Sequence, residues 1–172
     1  RHPLEGFAEK TAWLLNIYSD RPVPLINAGS GSDQHPTQAL LDIYTIEDDL
    51  KRLDGLKVAM MGDLKYGRTV HSLARLLCLY DTEFTFVSPE ALRLPSEICD
   101  ELRASGHRYT EQRELGDALG KIDVLYINAG VGGFAPLRDI TEEAWDHTHS
   151  INLRGCVFAL QKAVRMRFVS KQ

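Results

Sequence analysis

Leu56-Lys57-Val58-Ala59-Met60-Met61-Gly62-Asp63-Leu64-Lys65-Tyr66-Gly67-Arg68-Thr69-Val70-His71-Ser72 decides how the rest of the chain is read. Its first six residues make a short, nearly continuous apolar run, the mark of a strand buried on both faces. A loop bounded by Gly62 and Gly67 follows. From Thr69, apolar residues recur at helical spacing (Val70, Leu73, Ala74, Leu76, Leu77) as far as Tyr80. Strand, glycine loop and helix open a βαβ unit. Downstream the alternation continues: a strand at 83–87, a helix at 95–105 stopped by Gly106, and a strand at 107–110. A brief helix at 115–119, a strand at 122–127 and a glycine-rich turn at 128–133 come next. A long amphipathic helix then spans 141–164, opened by Thr141-Glu142-Glu143 as a cap, and 165–172 form a last strand or a frayed end. Upstream, a helix spans 4–19 and a short buried strand 23–27. A loop at 29–33 leads to a helix from Pro36 to Asp49.

Strands separated by helices of this length require right-handed crossovers and a parallel sheet covered on both faces. The fold class expected is α/β: a doubly wound, Rossmann-like parallel sheet in three α/β/α layers, preceded by part of a second α/β domain over residues 1–52. In such a sheet the ligand crevice lies beyond the carboxyl ends of the strands beginning at Leu56 and Ile122, where the loops at 62–68 and 128–133 face one another.

Composition excludes several classes. The 172 residues carry 20 Lys+Arg against 24 Asp+Glu, a formal net charge of -4, which lacks the electrostatic footprint of a nucleic-acid binder. No apolar run approaches the ~20 residues of a membrane span. The three cysteines, Cys78, Cys99 and Cys156, are widely spaced among apolar neighbours and read as buried free thiols of a cytoplasmic protein.

Two stretches carry chemistry. His35-Pro36-Thr37-Gln38 opens a helix directly after a glycine-rich loop, where amide N–H groups and the helix dipole favour an anion or a polarised carbonyl. On spacing alone the plainer reading is a capped helix with a surface histidine. Gly62-Asp63-Leu64-Lys65-Tyr66-Gly67-Arg68-Thr69 follows the phosphate-loop pattern except that Arg68 stands where lysine is required. A guanidinium fork matches a carboxylate or phosphate better than it serves nucleotide hydrolysis, and an arginine in a tight surface turn is the plain alternative.

From Arg1 to about Val124 the sequence resembles aspartate carbamoyltransferase catalytic chains. The resemblance rests on Arg1-His2-Pro3 with Glu5-Gly6, Pro24-Leu25-Ile26-Asn27-Ala28-Gly29, Gln34-His35-Pro36-Thr37-Gln38, and the stretch from Gly62 to Ser72. It implies that residues 1–52 are the end of a carbamoyl-phosphate domain and that 53–124 are half of an aspartate domain. By the same resemblance Arg1 and His35 contact the carbamoyl carbonyl and phosphate, Gln38 the carbamoyl amine, and Arg68 a carboxylate of aspartate. The reaction implied is attack of the aspartate amine on carbamoyl phosphate, driven by positioning and charge stabilisation.

Residues 122–164 instead resemble the fourth strand and following helix of short-chain dehydrogenases, through Asn128-Ala129-Gly130 and Ile151-Asn152-Leu153. That resemblance casts Asn128 as a stabiliser of the sheet and Asn152 as the helix asparagine of the catalytic set. As structural residues they are a turn former and a helix packing residue. The chain has no Thr-Gly-x-x-x-Gly-x-Gly and no Tyr-x-x-x-Lys, so hydride transfer is not expected. Together the resemblances imply a chimera joined near Tyr126, with little or no catalysis and part of an anion pocket. Residual carbamoyl transfer to aspartate and an NAD(P)-binding dehydrogenase-like role are the alternatives. The ligands expected are phosphate, carbamoyl phosphate and aspartate, with no cofactor or metal; residues 4–45 are expected either to pack on the helix 141–164 or to pair between chains as a homo-oligomer.

Overall fold

A computed structural model describes residues 2–31, 34–116 and 121–169. In chain order the elements are α1 (Phe7–Tyr18), α2 (Pro36–Leu50), β1 (Leu56–Gly62), α3 (Arg68–Leu77), β2 (Thr82–Val87), α4 (Ser96–Ala104), β3 (Tyr109–Gln112) and β4 (Val124–Asn128). α5 (Glu142–His149) and α6 (Cys156–Val169) follow, joined by a π-helical segment, Ser150–Gly155. The fold is α/β, with a parallel four-stranded sheet. The chain forms two compact units: residues 1–55, 66–82 and 96–107 hold helices α1 to α4, and residues 56–65, 83–95 and 108–172 hold the sheet with α5 and α6.

In the second unit the strand order is β3-β2-β1-β4. This is the doubly wound order, whose reversal point falls between β1 and β4. Val58 pairs with Val124 and the parallel register runs through to Gly62 opposite Asn128. Val58, Ala59 and Met60 are consecutive and fully buried, so both faces of β1 are covered, which is why the sequence there is unbroken apolar rather than alternating. Phe84 and Phe86, two residues apart on β2, share a face with ring centroids 5.7 Å apart. Ala59, Val87 and Leu115 form a small buried cluster, against which Ala163 of α6 packs together with Met61, Ile122 and Leu125.

The first unit is helical. α2 buries Ala39, Ile43 and Ile46 at helical spacing, and α3 buries Val70, Leu73, Ala74 and Leu77. Arg75 of α3 grips Glu101 of α4 with two hydrogen bonds, Nε to Oε2 at 2.7 Å and Nη2 to Oε1 at 3.1 Å. His107 closes the end of α4: its backbone N–H donates to the Leu102 carbonyl, and its ring nitrogens lie 3.0 Å from the Thr82 carbonyl and 3.1 Å from that of Cys78.

Several expectations need correction. Residues 23–27 are not a buried strand: they are irregular, and Ile26 is 78% exposed. Pro24 removes a ladder donor within the five-residue stretch and Pro22 another just before it, which leaves too few to pair. The helix expected over 141–164 is interrupted by the π-helical turn, and 165–169 continue α6 rather than forming a strand. The strand expected at 107–110 lies at 109–112, because His107 is taken up by the cap of α4. Of the three thiols only Cys99 is buried; Cys78 and Cys156 are half-buried. Most of the brief helix at 115–119 and residues 170–172 lie outside the described residues. No helix among the described residues is long and apolar enough to cross a membrane.

Candidate functional site

The first unit brings together the ends of two helices. His35 is the N-cap of α2 rather than part of its first turn, and its Nδ1 accepts the Gln38 backbone N–H at 3.3 Å. With Nδ1 as the acceptor, the tautomer that suits this cap carries its hydrogen on Nε2. The cap therefore prepares the side chain as a donor. Pro36 at the first helical position suits both the fixed φ and the missing donor. Gln38 is oriented too: its Nε2 donates to Asp42 Oδ1 at 2.9 Å, one turn on, which leaves the amide oxygen as the outward group.

α3 begins at Arg68 after Gly67, with no side-chain cap on its first amides. The Arg68 Nη1 donates to the Gly31 carbonyl at 2.9 Å, so the guanidinium lies over the loop that leads into α2. Ser72, one turn into α3 and buried, accepts the His35 backbone N–H on its Oγ at 2.8 Å. These two bonds fix the N-terminus of α3 beside that of α2. Two positive helix ends, the Arg68 guanidinium and the His35 ring then share one half-buried region.

The loop itself is held by backbone pairing. The His2 N–H donates to the Gly29 carbonyl and the Gly31 N–H to the His2 carbonyl, each at 3.0 Å. Gly31 has φ +57, and a Cβ there would lie 2.3 Å from the Glu5 side chain and 2.9 Å from the Glu5 backbone nitrogen. Glycine is required so that the carbonyl that receives Arg68 can come this close.

His35, Gln38 and Arg68 thus fall in one unit and at one place. Arg1 lies outside the described residues, next to the paired His2. Asn128 and Asn152 fall in the other unit. Asn128, at the end of β4, donates from Nδ2 to the Asp63 carbonyl at 2.7 Å, and the Asp63 N–H donates back to the Asn128 carbonyl at 2.9 Å. The carboxyl ends of β1 and β4 therefore meet through Asp63 and Asn128. Asn152, within the π-helical turn, holds Val131 by both amide atoms: Oδ1 accepts its N–H at 2.7 Å and Nδ2 donates to its carbonyl at 2.8 Å. A π-turn of this kind redirects one side chain out of helical phase.

Sequence reasoning missed Asp42, Ser72 and Gly31, the residues that orient Gln38, His35 and Arg68. The signals were present in part: Asp42 stands four residues after Gln38, and Ser72 stands four residues into the helix that Arg68 opens. Asp42 also keeps a buried Oδ2 with no hydrogen-bond partner among the described residues.

Two family models match this chain. One, aspartate/ornithine carbamoyltransferase, Asp/Orn binding domain, covers residues 54–146; the other, the carbamoyl-P binding domain of the same enzymes, covers residues 1–48. The chain belongs to the aspartate/ornithine carbamoyltransferase family. The aspartate carbamoyltransferase catalytic subunit of Thermococcus kodakarensis is 52% identical over 127 residues, covering 74% of this chain and 39% of that relative. The corresponding subunit of Methanocaldococcus jannaschii is 52% identical over 128 residues, covering 74% of this chain and 40% of its own length. Among solved structures, the M. jannaschii catalytic subunit superposes with a TM-score of 0.65 at 44% identity, covering 87% of this chain and 46% of that one. Aspartate transcarbamoylase from Trypanosoma cruzi in complex with N-(phosphonacetyl)-L-aspartic acid gives 0.62 at 37% identity, over 74% and 41%. The chain spans about two-fifths of the length of the curated relatives it matches. The Asp/Orn match runs on to residue 146, past Tyr126, and these relatives lend no support to a dehydrogenase ancestry for 122–164.

Proposed function

We propose that this family member holds part of a carbamoyl-transfer site, in which the paired N-termini of α2 and α3 take a small anion of the carbamoyl phosphate and aspartate type. In this reading residues 1–52 are the end of the carbamoyl-phosphate domain and 53–172 the α/β domain that follows. His35 Nε2 donates to the carbamoyl oxygen, Gln38 Oε1 accepts from the carbamoyl amine, and the Arg68 fork receives a carboxylate or phosphate. Arg1 is assigned a second cationic role by the family resemblance alone. Donors placed where charge develops on the carbamoyl oxygen would favour the tetrahedral state reached when the aspartate amine attacks.

The observation that carries this reading is the mutual bracing of the three side chains: His35 capped and tied to Ser72, Gln38 held by Asp42, Arg68 anchored on Gly31. A merely solvated histidine and arginine would not be held by neighbours from both helices. The group is sparse for two substrates that together bear several negative charges. The chain as it stands is therefore expected to bind but to turn over slowly or not at all, and the chimeric origin of 122–164 remains part of the same proposal. Its support is sequence alone: Asn128-Ala129-Gly130 and Ile151-Asn152-Leu153.

Thermal unfolding with N-(phosphonacetyl)-L-aspartate, alongside a carbamoyl-aspartate product assay, tests it. The bisubstrate compound should raise Tm in the parent chain, and Arg68→Ala should abolish the rise. A ligand at 100 times its Kd stabilises by about 2.7 kcal/mol, which is about 5–10 °C for a chain of this size. An unchanged Tm at millimolar ligand, or a full shift in Arg68→Ala, removes the assignment. Rapid product formation removes the claim of slow turnover.

A further inference from the structure

One face of the sheet changes character along its length. Side chains alternate along a strand, so Lys57, Ala59 and Met61 share one face of β1, and Glu83, Thr85 and Val87 share one face of β2. Ala59 and Val87 fall in one buried cluster, which makes these the same face of the sheet. In the parallel register Thr110 stands opposite Thr85 and Gln112 opposite Val87. Met61, Ile122, Leu125 and Ala163 of α6 pack around the buried cluster. Toward the amino ends of β1 and β2 the apolar cover stops. There Lys57, Glu83, Thr85, Thr110, Gln112 and Lys121 line a cavity of about 170 Å³ that Ile122 borders. The covered faces of a parallel sheet are ordinarily apolar, so a polar corner of this kind is unusual.

The lining is rich in donors and short of acceptors. Gln112 Nε2 is buried and has no hydrogen-bond partner among the described residues. Buried side-chain amides are normally satisfied, and an orphan donor on a cavity wall is satisfied by what enters the cavity. The Thr110 hydroxyl donates to that of Thr85 at 3.4 Å, which leaves the Thr85 O–H to donate in turn. Lys57, Lys121 and Glu83 are exposed at the rim, and none of the three is in an ion pair among the described residues. Two ammonium groups against one carboxylate leave the rim net positive. Neutral donors on the floor and cations at the rim suit a ligand whose outer atoms are all acceptors. Size selects further. Pockets for drug-sized ligands begin at about 300 Å³, so this smaller one takes a group of a few heavy atoms and excludes a nucleotide.

We infer that this polar corner of the sheet binds a small oxyanion, a carboxylate or a phosphate. Gln112 and Thr85 donate to it from the floor, and Lys57 and Lys121 supply charge at the rim. Glu83 works against highly charged ligands. This site shares no residue with the one at the N-termini of α2 and α3, which lies in the other unit.

Proton–nitrogen correlation spectra of the full chain, titrated with inorganic phosphate and separately with oxalate, test it. The side-chain amide pair of Gln112 and the backbone amides of Thr85 and Thr110 should shift and saturate, with a Kd of about 1 mM for the better anion. Saturation by phosphate or by oxalate supports the site and identifies which oxyanion it prefers. Gln112→Leu, which keeps the bulk of the side chain, and Lys121→Gln, an exposed change, should each weaken binding about tenfold as read at Thr85 and Thr110. Arg68→Ala should leave these shifts unchanged while it abolishes the thermal response at the other site, so the two assignments fail separately. Absence of saturation with both anions overturns the inference. So do equal shifts with sodium chloride at the same ionic strength, or an affinity indifferent to both substitutions.

Discussion

Gly62→Ala tests the junction on which the crevice end of the sheet depends. Gly62 ends β1 with φ +113, a region that L side chains rarely adopt. A Cβ built there would lie 2.4 Å from the Asn128 carbonyl oxygen, 2.6 Å from its carbon and 2.8 Å from the Ala129 nitrogen. All three are backbone atoms, so no rotamer change relieves the clash. Relief requires β4 to withdraw from β1, and that lengthens the reciprocal bonds between Asp63 and Asn128. Backbone strain of about 1–2 kcal/mol and weakening of two hydrogen bonds worth about 1 kcal/mol each give a loss of about 3 kcal/mol. For a chain of this length that is a fall in Tm of about 6–12 °C. Urea unfolding followed by fluorescence suits the measurement, because Trp145 lies in the unit that contains the junction and Trp13 in the other. The Trp145 transition should move to lower urea while the slope with denaturant is unchanged. A loss below about 0.5 kcal/mol would refute the argument, since it would mean the strand ends separate without cost.

Two further outcomes follow from titratable groups. The Arg75 hydrogen bonds hold the Glu101 carboxyl below its ordinary value of 4.5, against some opposition from burial. A lowered folded pKa contributes stability above the unfolded value that disappears as pH falls, so the contribution should vanish between pH 4.5 and lower values. The pair is half-exposed, so its worth is about 0.2–1 kcal/mol, and Arg75→Met should erase the pH dependence in urea midpoints measured from pH 6 to 3. Burial, with a smaller push from the Glu101 charge, raises the Cys78 thiol from 9.0 to about 11. Only the thiolate reacts, so alkylation of Cys78 at pH 8 should run about 100-fold slower than a thiol at 9.0 and accelerate up to pH 11. Peptide mapping after iodoacetamide treatment checks this; rapid modification at pH 8 would contradict it. The same raised value makes the folded state lose stability as pH climbs from 9 through 11, because the unfolded thiol ionises first.

Much of this protein was readable in one dimension. Val58-Ala59-Met60-Met61 could only be a strand covered on both faces, and the helix from Arg68 has one apolar face and one polar face. Periodicity reports burial directly, so most of the strand and helix sequence and the parallel sheet were legible. Residues 23–27 were misread because an apolar run looks the same whether or not partners stand beside it; two prolines decide that none pair.

Local sequence also named His35, Gln38 and Arg68, since cap positions and glycine loops have their own chemistry. It could not supply what holds them. Ser72 reaches His35 across 37 positions of chain and the Gly31 carbonyl reaches Arg68 across the same interval, distances that no spacing rule encodes. Hydrogen-bond partners separated this far are chosen by how α2 packs on α3, and so only the folded chain determines which ring nitrogen of His35 donates and where the Arg68 fork lies.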